Sequence, residues 1–200
     1  MTDFIYLASQ SPRRRQLLEQ LGVKYELLLA DESEDAELLE AVLKNELPAT
    51  YVQRVTGLKL EAAVARLRRR KLKLAPILCS DTTVALGRVI YGKPENAADA
   101  VRMLTELGGT THRVLTAVAL QAGKRRFGAL SSSRVSFECM TGAQIREYVA
   151  TGEPLGKAGA YAVQGRAAVH ITEIKGSYSG IMGLPLCETA RMLRGVGVKV

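Results

Sequence analysis

Ten consecutive residues, 77–86, read ILCSDTTVAL and carry a single charge, Asp81, at their middle. A short apolar and β-branched run of this kind, preceded by Pro76 and followed by Gly87, predicts a strand. A carboxylate inside an apolar strand costs desolvation unless it is paired, hydrogen-bonded or bound to a metal. Asp81 is therefore either a structural ion-pair residue or a functional one, with metal binding and general-base chemistry both open.

The segments around this run alternate in type, which argues for an α/β protein. Residues 4–8 read as a strand that passes at once into a helix over 12–21, stopped by Gly22. A second strand is expected over 25–29, a loop or short helix after the acidic stretch 31–35, and a long helix over 49–72. Gly57 is a weak point in that helix, costing about 1 kcal/mol relative to Ala. A helix over 97–107 ends at Gly108-Gly109. Two long strands, 111–121 and 127–138, are joined by a hairpin turn over 122–126. A short helix over 142–150, a strand over 168–174 and a helix over 185–193 complete the order. The expected architecture is a curved mixed sheet flanked by helices, with two lobes around a central cleft. No linker, repeat or low-complexity tract divides residues 1–200, so one domain is expected.

Three cysteines, Cys79, Cys139 and Cys187, are far apart and lack metal-site or CxxC spacing. Together with an N-terminus that reads as a strand, they suggest reduced thiols and a cytoplasmic protein. No apolar run approaches the roughly 18–20 residues of a membrane helix. The net charge of +8 suits a polyanionic partner. Much of it lies in the run 66–73, RLRRRKLK, which reads as a solvated helix end rather than a nucleic-acid site. With no Trp and 5% aromatic residues, the chain offers little stacking surface to single strands.

Three further constellations carry chemistry. Ser9-Gln10-Ser11-Pro12-Arg13-Arg14 runs from a strand into a helix, with Ser11 as N-cap and Pro12 at the first helical position. A helix start with free N–H groups, hydroxyls and guanidinium groups is a phosphate cradle or, in the plainer reading, a capped surface helix. Gly87 and Gly92-Lys93-Pro94 nearly match a P-loop. Pro94 stands where a magnesium-binding Ser or Thr is required, so Lys93 would reach a phosphate by another route. The glycine-dense run 152–165 predicts an extended loop, either structural or lining a site. Its Gln164 amide has the donor and acceptor needed to read a nucleobase edge. His112 and His170 stand alone, the latter in a predicted strand. The residues present include cations, hydroxyls and carboxylates but no evident covalent nucleophile, a set that suits metal-assisted attack of water on a phosphate.

These motifs together resemble the Maf family, almost end to end. The resemblance runs from Leu7-Ala8-Ser9-Gln10-Ser11-Pro12-Arg13-Arg14 through Ser80-Asp81-Thr82, Gly92-Lys93-Pro94, Thr111-His112-Arg113-Val114-Leu115-Thr116-Ala117-Val118 and the run 152–165 to Gly183-Leu184-Pro185-Leu186-Cys187-Glu188-Thr189. It implies a fold similar to the inosine triphosphate pyrophosphatases (Ham1-like) and a homodimer. It also implies cleavage of a nucleoside triphosphate between its α- and β-phosphates with magnesium or manganese. In that pattern Asp81 is the proton acceptor and a metal ligand, and Ser9, Arg13, Arg14, Lys59 and Lys93 face the phosphates. A second metal-binding carboxylate follows the second strand, as Glu34 or Glu32. The family's Arg-Leu-Ala-x-x-Lys-Ala stretch appears here as Arg54-Val55-Thr56-Gly57-Leu58-Lys59-Leu60.

Arg13, Thr82 and Gln164 resemble the family branch associated with dTTP and UTP. The sister branch, associated with 7-methyl-GTP and CTP, carries an aromatic residue, Gln and Glu at these points. The resemblance thus implies a dTTP/UTP pyrophosphatase. The alternatives are a sister-branch enzyme or a non-catalytic nucleotide-binding regulator of cell division.

Overall fold

A computed structural model describes residues 4–31, 34 and 38–200. Its centre is a mixed sheet of seven strands in the order β2-β1-β3-β5-β6-β7, with β4 pairing β3 alone. β1 (Ile5–Leu7) lies parallel to both β2 (Tyr25–Leu27) and β3 (Ile77–Leu86). The other pairings, of β3 with β4 (Val89–Tyr91) and β5 (Thr111–Ala122), and of β6 (Arg125–Phe137) with β5 and β7 (Ile171–Lys175), are antiparallel. The α/β class and the flanked mixed sheet expected from the sequence are what the chain adopts.

Helices cover both faces. α1 (Pro12–Gln20) begins with Pro12 and is followed by Gly22 at φ 67°, a left-handed position that favours glycine. α2 (Pro48–Arg69) packs Leu60, Ala63 and Leu67 against Tyr6, Ile77 and Cys79 on one side of the sheet. Its first turns cover Ala85, Leu115 and Ala117 with Tyr51, Val52 and Val55. The larger core lies on the opposite side, where α3 (Ala97–Leu107), α4 (Gly142–Ala150) and α6 (Leu186–Gly195) surround Leu78, Val84 and Val118. α4 starts with a capping box between Thr141 and Gln144. No helix of the described residues is long and apolar enough to cross a membrane.

Several local expectations are corrected. The strand expected over 168–174 is divided into a 3-10 turn, Arg166–His170, and β7. Ala168 N–H bonds the Gly165 carbonyl at 3.1 Å, and the buried Ala167 turns inward, so alternation there marks a turn and not a strand. The hairpin between β5 and β6 is tighter than expected. Only Gly123 and Lys124 lie outside the strands, with Gly123 at φ 58°, where a type II′ turn requires positive φ. A short helix, α5 (Tyr178–Met182), was not expected; Ser177 caps it by accepting from Gly180 N–H. Gly57 does not interrupt α2. Its missing Cβ instead admits Arg126, whose guanidinium donates to the Gly57 carbonyl at 3.1 Å. The basic run 66–73 is not wholly solvated, because Arg66 is buried.

Candidate active site

Strand pairing leaves a gap beside the centre of β3. β1 reaches only Leu78 in register, and β4 begins only at Val84. Between them residues 80–83 have, among the described residues, no strand on that side. A cleft of about 1070 Å³ opens there, lined by Ser9, Arg13, Asp81, Lys93 and Gln164 among others. Its size lies just above the roughly 300–1,000 Å³ typical of small-molecule sites.

Alternation along β3 distributes its side chains. Ile77 and Cys79 pack under α2, and Asp81, two residues on, faces the same helix. Lys59 of α2 meets it with Nζ 2.5 Å from Asp81 Oδ1. Asp81 is only 8% exposed, so the partner that its burial demands is supplied by this ammonium. Thr82 faces the other way, and its Oγ1 lies 2.9 Å from Thr116 Oγ1. Thr116 donates its one hydroxyl proton to the Gly180 carbonyl at 2.7 Å. Thr82 is then the donor to Thr116, and it presents acceptor lone pairs to its remaining surroundings.

The N-terminus of α1 forms a second wall. Ser11 occupies the N-cap position, but its side chain makes no capping bond. Ser9 Oγ accepts instead from Ser11 N–H at 3.2 Å and from Arg14 Nη1 at 3.1 Å, which leaves the Ser9 hydroxyl proton available to another acceptor. Arg14 Nε donates to the Gly183 carbonyl at 2.8 Å, tying α1 to the turn after α5. Burial pulls the Arg14 pKa down from its ordinary value, while Asp81 opposes that shift. Arg13 is half-buried at the cleft and, among the described residues, has no hydrogen-bonding or ion-pair partner.

Lys93 follows β4 in an extended loop, and α3 begins only at Ala97, so no P-loop forms. The run 152–165 lines the cleft as turns, with Lys157, Tyr161 and the exposed Gln164 on its wall. Tyr161 is buried and anchored by His112, whose Nε2 lies 2.9 Å from the Tyr161 hydroxyl. Burial lowers the His112 pKa to about 4.

Ser9, Arg13, Arg14, Lys59, Asp81, Thr82, Lys93 and Gln164 thus line one cleft. Glu34 also lines it, but its carboxylate is turned to α2. Arg66 Nε and Nη2 grip Glu34 Oε1 and Oε2 at 2.9 and 2.6 Å, and Arg69 adds a bond of 2.6 Å. Arg66 foremost holds the Glu34 carboxyl down to about 2. Glu32, the other possibility, lies outside the described residues. The carboxylate that joins the cations is one that sequence reasoning missed, Glu40, in the 3-10 turn Leu38–Glu40. Its Oε1 accepts from Lys59 Nζ at 2.7 Å, and its Oε2 lies 3.2 Å from Lys93 Nζ. Burial raises the Glu40 pKa, but the two lysines outweigh it and leave the group below its ordinary value. Tyr51, also unforeseen, lines the cleft and donates to the Glu40 carbonyl at 2.9 Å.

Comparison with known proteins gives the following similarities. A family model described as Maf-like protein matches residues 4–196. A protein of Albidiferax ferrireducens named dTTP/UTP pyrophosphatase is 67% identical over 200 residues, covering 100% of both chains. A Polaromonas protein of the same name is 68% identical over 198 residues, covering 99% of this chain and 98% of that one. Among solved structures, the Staphylococcus aureus Ham1 protein matches with a TM-score of 0.40 at 16% identity, over 67% of this chain and 70% of that one.

Proposed function

The chain belongs to the Maf family, and we propose that it is a pyrophosphatase that hydrolyses dTTP and UTP to the monophosphate and pyrophosphate. The substrates are those in the names of relatives at 67 and 68% identity over nearly the whole chain. The observation that carries the chemistry is the Asp81–Lys59 pair, set at the open edge of β3 inside a cationic cleft.

In this reading Asp81 accepts a proton from a water molecule whose oxygen attacks the α-phosphorus. The bond from that phosphorus to the oxygen bridging to the β-phosphate breaks, and its electron pair leaves with pyrophosphate. Lys59 fixes the position of the Asp81 carboxylate through its 2.5 Å contact. Arg13, Arg14, Lys59 and Lys93 neutralise charge that develops on the leaving phosphates. Ser9 donates its spare hydroxyl proton to a phosphate oxygen, and the first turn of α1 adds its free N–H groups.

The donor set fits a magnesium or manganese ion shared with the substrate. Among the described residues no three His, Cys, Asp or Glu side chains gather around one point. Magnesium is commonly held by one or two carboxylates together with substrate phosphates, and Asp81 supplies a carboxylate of that kind. Glu34 would join it only by releasing Arg66 and Arg69. Such an ion, when bound, supplies further neutralisation of the phosphate oxygens.

The base is read by Gln164, with Thr82 and Arg13. The Gln164 amide has, among the described residues, no partner, so both its donor and its acceptor are available. Thymine and uracil offer an N3–H and a C4 carbonyl, which one carboxamide meets together. The reading includes a homodimer, as the family resemblance implies, in the cytoplasm, as the three unpaired cysteines suggest; light scattering tests the dimer.

The deciding experiment is pyrophosphate release from a panel of nucleoside triphosphates with magnesium or manganese. Preferential cleavage of dTTP and UTP is expected. Preference for CTP or 7-methyl-GTP would overturn the reading of Gln164, Thr82 and Arg13. No release from folded protein with either metal would overturn the reaction.

A further inference from the structure

Asp81, Lys59, Glu40 and Lys93 form a chain of alternating charge across the cleft. Lys59 Nζ lies 2.5 Å from Asp81 and 2.7 Å from Glu40, and Lys93 Nζ lies 3.2 and 3.3 Å from the two Glu40 oxygens. Asp81 belongs to the sheet, Lys59 to the helix α2 packed on it, and Lys93 to the loop that follows β4. Glu40 comes from a separate piece of chain between β2 and α2. That piece is tied down by its own contacts. Arg54 grips the Glu46 carboxylate with bonds of 2.7 and 2.8 Å and donates to the Ala41 carbonyl at 2.8 Å. Tyr51 holds the Glu40 carbonyl.

These ties bring a carboxylate onto the cations that a polyphosphate needs. We propose that Glu40 is a substrate-mimicking counter-ion, which holds Lys59 and Lys93 in place until a triphosphate binds and is then exchanged for phosphate oxygens. The proposal rests on the reading of the cleft as a triphosphate site. Replacing the Glu40 carboxylate by phosphate oxygens keeps the alternation of charge intact, with Lys59 still bonded to Asp81. The contact is also weak enough to exchange. The side chains of Glu40 and Lys93 are 26 and 53% exposed, and ion pairs in such settings contribute little net free energy. A ligand that must first displace such a group binds with an apparent affinity reduced by the fraction of sites already vacated.

The test is calorimetric titration of the whole chain and of Glu40→Gln with sodium pyrophosphate, without added divalent ion, alongside KM for dTTP. Glutamine keeps the shape of the side chain and removes its charge. The expected result is pyrophosphate binding about fivefold tighter in the variant, with KM for dTTP lowered in the same direction. Unchanged or weaker pyrophosphate binding overturns the proposal, and a hundredfold loss of turnover with weaker binding would make Glu40 part of the binding apparatus instead. If pyrophosphate binds more tightly to Glu40→Gln but neither protein cleaves dTTP, the counter-ion role stands and the proposed reaction falls.

Discussion

Lys59 Nζ stands 2.5 Å from Asp81 Oδ1, an ion pair formed between the middle of α2 and the middle of β3, 22 residues apart in the chain. Both groups are largely buried, so neither is a casual surface pair. The geometry gives Asp81 one oxygen bonded to Lys59 and a second directed to the remainder of its surroundings, as a base or ligand requires.

Asp81→Asn retains the shape of the side chain and removes its ability to take a proton. General-base groups contribute roughly 10²–10⁴-fold, so turnover on dTTP should fall by at least about a hundredfold. The melting temperature should change little, because the amide oxygen still accepts from Lys59. Steady-state pyrophosphate release and a thermal melt on the same preparation check both halves. Near-normal turnover would remove Asp81 from the mechanism.

Arg66→Met tests a structural role. Arg66 is 5% exposed, forks onto Glu34 and donates to the Leu28 carbonyl at 2.8 Å. Removing Arg66 leaves the Glu34 carboxylate with Arg69 alone and the Leu28 carbonyl without this donor, at a cost of about 1–3 kcal/mol. Denaturant unfolding should show that loss through a lower midpoint. The pair also has a pH signature. The folded-state Glu34 pKa, about 2, lies below its unfolded value. Its contribution is therefore complete above the ordinary glutamate range and fades as pH falls toward 2. That fading should be weaker in Arg66→Met, where Arg69 alone still holds Glu34.

The parts of the fold that could be read from sequence are those closed by local signals. β3 runs from Ile77 to Leu86 as expected because Pro76 and Gly87 bound it, and α3 runs from Ala97 to Leu107 because Asn96 caps it and Gly108 follows it. Asp81 stood out because a charge in an apolar strand is a local anomaly. Glu40 did not, since its meaning depends on Lys59 and Lys93, 19 and 53 residues further along. Arg66 was hidden in the same way: within RLRRRKLK it reads as one charge among several, and only its reach to Glu34, 32 residues back, separates it. The 3-10 turn before β7 escaped notice because a pattern of apolar and polar residues over so short a stretch fits a turn as well as a strand, and the apolar Val169 is in fact 76% exposed.

Gln164→Glu tests base recognition. A carboxylate only accepts hydrogen bonds, whereas the C4 carbonyl of thymine or uracil needs a donor. An acceptor facing an acceptor leaves both unpaired, and sites built to hydrogen-bond a group discriminate strongly when the match is lost. With one hydrogen bond at an exposed side chain worth about 0.5–1.5 kcal/mol, kcat/KM for dTTP should fall by roughly 2- to 10-fold. The carboxylate can still accept from the N3–H of thymine or uracil, so one of the two bonds survives, and steady-state kinetics on dTTP and UTP read the loss of the other. An unchanged kcat/KM for dTTP would place Gln164 away from the base.

His112 predicts how the protein responds to acid. It is 1% exposed, packs edge-on against Phe137 with ring centroids 5.0 Å apart, and bonds the Tyr161 hydroxyl. Among the described residues no carboxylate compensates a charge there, and burial lowers its pKa from 6.5 to about 4. The unfolded chain therefore binds a proton at a higher pH than the folded one. The stability tied to neutral His112 is complete above about pH 6.5 and is lost as pH falls from there to 4, a difference on the order of 3 kcal/mol. Unfolding free energies measured from pH 7 to 4 should show that decline, and His112→Asn should flatten it. Because Tyr161 precedes the Gln164 turn, the same acid range should loosen the wall that reads the base. KM for dTTP should then rise in that range before the fold is lost. A KM for dTTP that stays flat to pH 4 while stability declines would separate His112 from the base-reading loop.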